Sequence, residues 1–178
     1  MLDNHAELLR LIGAAGGTVQ GRTKLQKLVY LAQQKGWPFT ESFRYYLYGP
    51  YSEQLASEIE EIRCFGFVTE SKQQGHGSAL CYTLTDEGRR FIDEYTPRPL
   101  PHGIEEFVAD ASARESRILE LYATVLYLNR IGYGDDEVSD MIGSLKPDRD
   151  YSAEAITGAQ EFLRVHRLVA QNPPSEAF

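Results

Sequence analysis

Cysteine is nearly absent from this sequence. The two that occur, Cys64 and Cys81, sit in a helical and a strand pattern, with no C-x-x-C pair and no histidine at ligand spacing. That excludes a zinc ribbon or a disulfide framework, and buried reduced thiols are expected. The four histidines, His5, His76, His102 and His166, are scattered, so no metal centre is expected. No apolar run approaches the roughly 18 residues of a membrane span. The N-terminus lacks a basic region followed by an apolar stretch, and a cytoplasmic protein is expected. Gly13-Ala-Ala-Gly16-Gly17 has no following Lys-Ser/Thr and is not a phosphate loop. Asp135-Asp-Glu137 lacks the alternating oxygen ligands and glycine of a calcium loop and reads as charge at the first turn of a helix. No Ser/His/Asp or Cys/His constellation can be assembled, so the sequence points to no catalytic residue and no cofactor.

Positive charge is also short. Eighteen Lys and Arg stand against 26 Asp and Glu, a net charge of −8, which opposes nonspecific attraction to nucleic acid. The distribution is uneven. Residues 1–52 carry six basic side chains against three acidic ones, whereas residues 53–96 carry four against nine. Any anion-binding surface is therefore expected in the first third.

Hydrophobic residues make up 42% of the chain, enough for an ordinary core, and their periodicity predicts an α+β, mostly helical fold. Leu8, Leu9, Leu11 and Ile12 mark a first helix, with Asp3 and Asn4 as caps and Gly16-Gly17 as its stop. Thr23-Lys-Leu-Gln26 has the form of a capping box, opening a second helix with Leu25, Leu28, Val29 and Leu31 inside, Lys24, Lys27 and Lys35 on its solvent face, and Gly36 at its end. Phe43, Tyr45 and Leu47 alternate with Arg44, Tyr46 and Tyr48 as an aromatic strand, core on the first face and surface on the second, broken by Gly49-Pro50. Ser52 caps a third helix that buries Leu55, Ile59, Ile62 and Phe65 and exposes Glu53, Glu58, Glu60 and Glu61. Strands at Phe67–Thr69 and Leu80–Leu84, joined by a polar glycine-containing loop, read as a β-hairpin wing. Thr85 caps a short helix closed by Pro97. The expected organisation is a winged-helix domain over residues 1–96, a proline-rich linker at 97–103, a helical region at 104–171 that packs on it or dimerises, and a flexible tail at 172–178. Within 104–171 the helical patterns run from about 104 to 131, 135 to 143 and 152 to 169.

Two sets of strings carry a resemblance. Phe65-Gly-Phe-Val68 and Tyr82-Thr-Leu-Thr-Asp-Glu-Gly-Arg89, flanking the wing, look like the winged-helix superfamily of prokaryotic regulators. Gly21-Arg-Thr-Lys-Leu-Gln-Lys-Leu-Val-Tyr-Leu-Ala32, followed by Phe43-Arg-Tyr-Tyr-Leu-Tyr-Gly-Pro-Tyr-Ser52, resembles the YwgA-like prokaryotic family and, more distantly, the Panacea antitoxin domain with its K-L-Q-K-L and Y-G-P signatures. The similarity extends through Lys146-Pro147 and the final helix. The Panacea resemblance implies a binding module for a protein partner, and neither family supplies a catalytic residue.

Two functions are expected from these residues. The first is a non-enzymatic regulatory protein, antitoxin-like or an adaptor, that binds a protein partner, such as a toxin, through Arg44, Tyr46, Tyr48, Tyr51 and Glu53, since tyrosine and arginine are enriched at interface hot spots. The alternative is a DNA-binding transcription regulator using Arg22, Lys24 and Lys27 of the second helix with Lys72 and His76 of the wing, as a homodimer built by the C-terminal helices. Carboxylates on the third helix argue against its entering a DNA groove.

Overall fold

The computed structural model describes residues 2–72, 80–95 and 98–169, and the chain divides into two compact units, Met1–Glu120 and Leu121–Phe178. The architecture is mixed α+β. His76 and the tail expected at 172–178 lie outside the described residues.

The first unit begins with α1 (Leu2–Ala14), β1 (Thr18–Gln20), α2 (Arg22–Lys35), β2 (Arg44–Tyr46), β3 (Gly49–Tyr51) and α3 (Glu53–Cys64). It continues with β4 (Val68–Lys72), β5 (Leu80–Leu84), α4 (Asp86–Glu94), α5 (Ile104–Ser112) and the start of α6 (Ser116–Arg130). Helix α2 is the centre of the core. Its residues Leu25 to Ala32 are all buried, so it is enclosed on every side rather than presenting one apolar stripe. Helix α1 contributes Leu8, Leu9, Leu11 and Ile12, and α3 contributes Leu55, Ile59 and Ile62 at helical spacing. Ser52 caps α3 by accepting the Leu55 N–H at 3.2 Å, as its sequence predicts.

Strands β4 and β5 pair antiparallel from Val68↔Leu84 to Lys72↔Leu80, and β1 joins the outer side of β5 with Val19 opposite Tyr82. A second antiparallel pair, β2 and β3, stands apart from this sheet. After β5, Thr85 accepts the Gly88 N–H at 3.1 Å and so caps α4. Helix α5 packs against α1 and α2. The division into units therefore falls inside α6, after Glu120, and not at the proline-rich stretch 97–103.

In the second unit, α7 spans Asp135–Leu145, a 3-10 turn spans Pro147–Arg149, and α8 spans Ala153–Val165. Tyr122 stacks on Phe162 with ring centroids 4.3 Å apart, and Val138, Ile142, Ile156 and Leu163 are buried. Asp135 accepts Arg164 at 2.8 Å, and the Glu137 carboxylate accepts the Gly134 N–H at 2.9 Å, so these acidic residues serve the start of α7.

Several local expectations are corrected. Thr23 and Gln26 form no capping box. Gly21 is the N-cap of α2, without a side-chain bond, and Gln26 is buried and committed elsewhere. Asp3 and Asn4 lie within α1 instead of capping it. Lys27 and Glu58, expected on solvent faces, are 1% and 7% exposed. Phe65, Leu47 and Cys64, expected inside, are exposed. The helical pattern from 104 to 131 is two helices, interrupted at Ala113–Glu115.

Candidate functional site

The β2–β3 pair is a hairpin whose register, Arg44↔Tyr51, Tyr45↔Pro50 and Tyr46↔Gly49, leaves a two-residue turn of Leu47 and Tyr48. Gly49 has φ +85°, a left-handed conformation that glycine adopts without a steric penalty. The turn explains the misplacement of Leu47. Strict alternation holds only while the strand continues, and this chain reverses after Tyr46. Tyr46, Leu47 and Tyr48 thus become three consecutive large side chains with 61%, 72% and 52% exposure.

The hairpin is anchored by α2. The Lys27 ammonium donates to the Pro50 carbonyl at 2.6 Å. The Gln26 side chain grips Ser52 at both backbone groups, donating from Nε2 to the carbonyl at 2.8 Å and accepting its N–H at Oε1 at 2.9 Å. Tyr30 meets Phe43 edge to face with centroids 5.1 Å apart. These contacts join the K-L-Q-K string to the Y-G-P-Y-S string, which sequence spacing alone did not connect. Both strings supply buried polar partners for each other.

Beside the hairpin lies a cleft of about 440 Å³ lined by Ser42, Arg44, Tyr45, Tyr46, Tyr51, Glu53 and Gln54. Four of the five residues predicted to bind a partner therefore line one cavity. The fifth, Tyr48, occupies the turn, exposed beside Leu47.

The basic set is not assembled in this way. Arg22 forms an ion pair with Glu60 and donates from Nε to the Tyr82 hydroxyl at 3.3 Å. The Tyr82 hydrogen bond, with Glu60 adding to it, holds the Arg22 guanidinium in its charged form above its ordinary pKa. Glu60 also takes Arg63 at 2.8 Å, and Arg63 first, then Arg22, keep its carboxyl below the usual range. Burial lowers the pKa of Lys24. Lys27 faces the interior, and Lys72 is exposed at the end of β4, opposite Leu80. The Leu80 carbonyl accepts the Gly21 N–H at 2.6 Å, so Lys72 and the start of α2 share one end of the sheet.

Comparison with known proteins adds a relative. Over 164 residues, 92% of this chain and 96% of the relative, the sequence is 34% identical to the uncharacterised protein YwgA of Bacillus subtilis (strain 168). The chain belongs to the YwgA-like family. No family model matches it. The alignment is long enough to take in both compact units. Among the described residues, no group of three His, Cys, Asp or Glu side chains is placed to hold a metal ion, and no helix is long and apolar enough to cross a membrane.

A polar layer missed by sequence reasoning lies behind the hairpin. Asn4 of α1 donates from Nδ2 to the Thr40 hydroxyl at 2.9 Å and to Glu58 Oε1 at 3.1 Å, and Gln54 donates to the same carboxylate oxygen at 3.0 Å. Trp37 donates from Nε1 to Glu7 at 2.9 Å. Glu41 is 3% exposed. Nothing in the local pattern signals these burials, because each partner comes from a different element. The one available clue is Glu41 itself, an acidic residue among Trp37, Phe39 and Phe43.

Proposed function

We propose that this chain is a non-enzymatic, winged-helix regulatory protein that binds a protein partner through the β2–β3 hairpin and its cleft, in the manner of an antitoxin or adaptor. The carrying observation is the run Tyr46-Leu47-Tyr48, exposed at the turn beside a cavity lined by Arg44, Tyr46, Tyr51 and Glu53. Large apolar side chains grouped at the surface mark association sites, and tyrosine and arginine dominate their energetics. The winged-helix reading is supported by the order of α1, β1, α2, α3, β4 and β5, with β1 completing a sheet of three strands. The β2–β3 hairpin is inserted between the second and third helices, where a simple helix-turn-helix has only a short turn. It gives this protein a surface of its own. DNA binding is less well supported, since Lys27 is buried and Arg22 is neutralised by Glu60.

A photo-crosslinking side chain placed at position 47 in living cells is expected to trap one stoichiometric protein adduct. Titration of that purified partner should then show that Tyr46→Ala weakens binding by about thirtyfold, roughly the 2 kcal/mol of an interface hot spot. Tight, steeply salt-dependent binding to a DNA duplex that Tyr46→Ala leaves unchanged would sink this reading.

A further inference from the structure

The segment that leads into the hairpin contains a buried acid that no side-chain donor among the described residues satisfies. Glu41 lies three residues before β2 and is 3% exposed, and among the described residues neither of its carboxyl oxygens has a well-aligned hydrogen-bond partner. Glu58 of α3 faces it, 7% exposed, with Oε1 held by Asn4 and Gln54 and Oε2 without a partner. Two ionised carboxylates cannot share such a site, because burial penalises each charge and each repels the other. A single proton between them removes one charge and supplies the missing donor.

The backbone around this pair is otherwise well held. Gln33 of α2 donates to the Glu41 carbonyl at 2.8 Å and to the Phe39 carbonyl at 3.2 Å, and Asn4 holds Thr40. The other charged groups on the surrounding elements are engaged. On α1, His5 contacts Glu61 at 2.7 Å, Asp3 pairs with Arg98 at 3.2 Å, and Glu7 pairs with Arg10 at 3.1 Å. On α2, Lys27 is held by the Pro50 carbonyl.

We propose that Glu41, buried against Glu58, is a protonation latch on the segment 37–43: while its carboxyl holds a proton the segment stays docked, and when that proton is lost the segment is released, and with it the lead-in to the hairpin. The link to partner binding rests on the function proposed above, whereas the latch itself does not. Its direction follows from linkage. Burial first, and Glu58 second, raise the Glu41 pKa to about 8, against the smaller opposing pull of the Glu41 and Thr40 backbone amides. A carboxyl whose pKa is higher folded than unfolded contributes stability at low pH and loses it as pH rises through the folded value. The docked segment is therefore the acid-side state.

The chain supplies its own reporter, because its single tryptophan, Trp37, is 1% exposed at the start of this segment. Tryptophan emission of the full chain is followed from neutral to mildly alkaline pH, with far-UV circular dichroism as a check on the fold. The expected result is a red shift with its midpoint near 8, while the helical signal stays constant. Glu41→Gln should remove the transition, since a neutral amide is fixed in the protonated role. Glu58→Gln should move the midpoint to lower pH, since it removes the repelling charge. That second variant keeps the idea testable should Glu41→Gln fail to fold. Emission that stays flat in the unsubstituted chain overturns the latch, as does the same midpoint in both variants. None of these measurements needs a partner, so a failed Tyr46→Ala test would sink the function and leave the latch untouched.

Discussion

Gln26→Ala is expected to lower the free energy of unfolding by about 2–4 kcal/mol, because it strips two hydrogen bonds from buried backbone groups at roughly 1–2 kcal/mol each. The Ser52 N–H and carbonyl, both bound by the Gln26 amide, lie in a residue 1% exposed, so water cannot replace the lost partner without opening the structure. The same residue caps α3, so the start of that helix is loosened as well. Urea denaturation measures the loss. Gln26→Glu separates the two contacts, since its carboxylate still accepts the Ser52 N–H but repels the carbonyl. Its deficit should shrink on acidification, when the protonated acid can donate again. An Ala variant within about 0.5 kcal/mol of the parent, the usual range for a surface change, would show that the grip on Ser52 contributes nothing.

Gly88→Ala is the second large effect, and its sign is the reverse of the usual one. In a helix with open space around it, glycine to alanine stabilises by about 1 kcal/mol. At Gly88 a Cβ would lie 2.4 Å from the Phe67 carbonyl oxygen and 2.8 Å from Leu84 Cδ1. The carbonyl cannot retreat cheaply, since it accepts both the Thr85 N–H and the Thr85 hydroxyl at 3.0 Å. Helix α4 must move instead, and a net loss of about 2 kcal/mol is expected, within the range for overpacking a filled site. Gly158 in α8 is the internal control. A Cβ added there would meet nothing within 4 Å, so Gly158→Ala should gain up to about 1 kcal/mol in the same thermal or denaturant measurement.

These two residues show what a sequence reveals and what it conceals. The string from Tyr82 to Gly88 was readable because its bonds are local: Thr85 caps the helix that follows it, and strand β5 alternates regularly. The caps Ser52 and Thr85 and the pairing of β4 with β5 were legible for the same reason. Strand β1 was not, being three residues long between glycines, with its partner more than sixty residues away. Lys27 and Glu58 were placed outside because charge usually faces water. Their burial depends on a carbonyl of β3 and an amide of α1, which no window of neighbouring residues contains. Of the candidate surface, Arg44, Tyr46, Tyr48 and Tyr51 were visible as an unusual density of aromatic residues with one cation. The turn that exposes Tyr48 beside Leu47 and the cleft that gathers the other three required the fold.

The anchoring of the hairpin has one more consequence. Lys27 and Gln26 hold Pro50 and Ser52 through main-chain atoms, and those bonds do not depend on which side chains the hairpin carries. The frame and the exposed residues are thereby separable, much as a rigid scaffold carries loops of changing composition. Relatives that keep the two α2 residues can exchange Arg44, Tyr46, Leu47 and Tyr48 without losing the mounting, so the exposed surface can diverge while the fold stays the same.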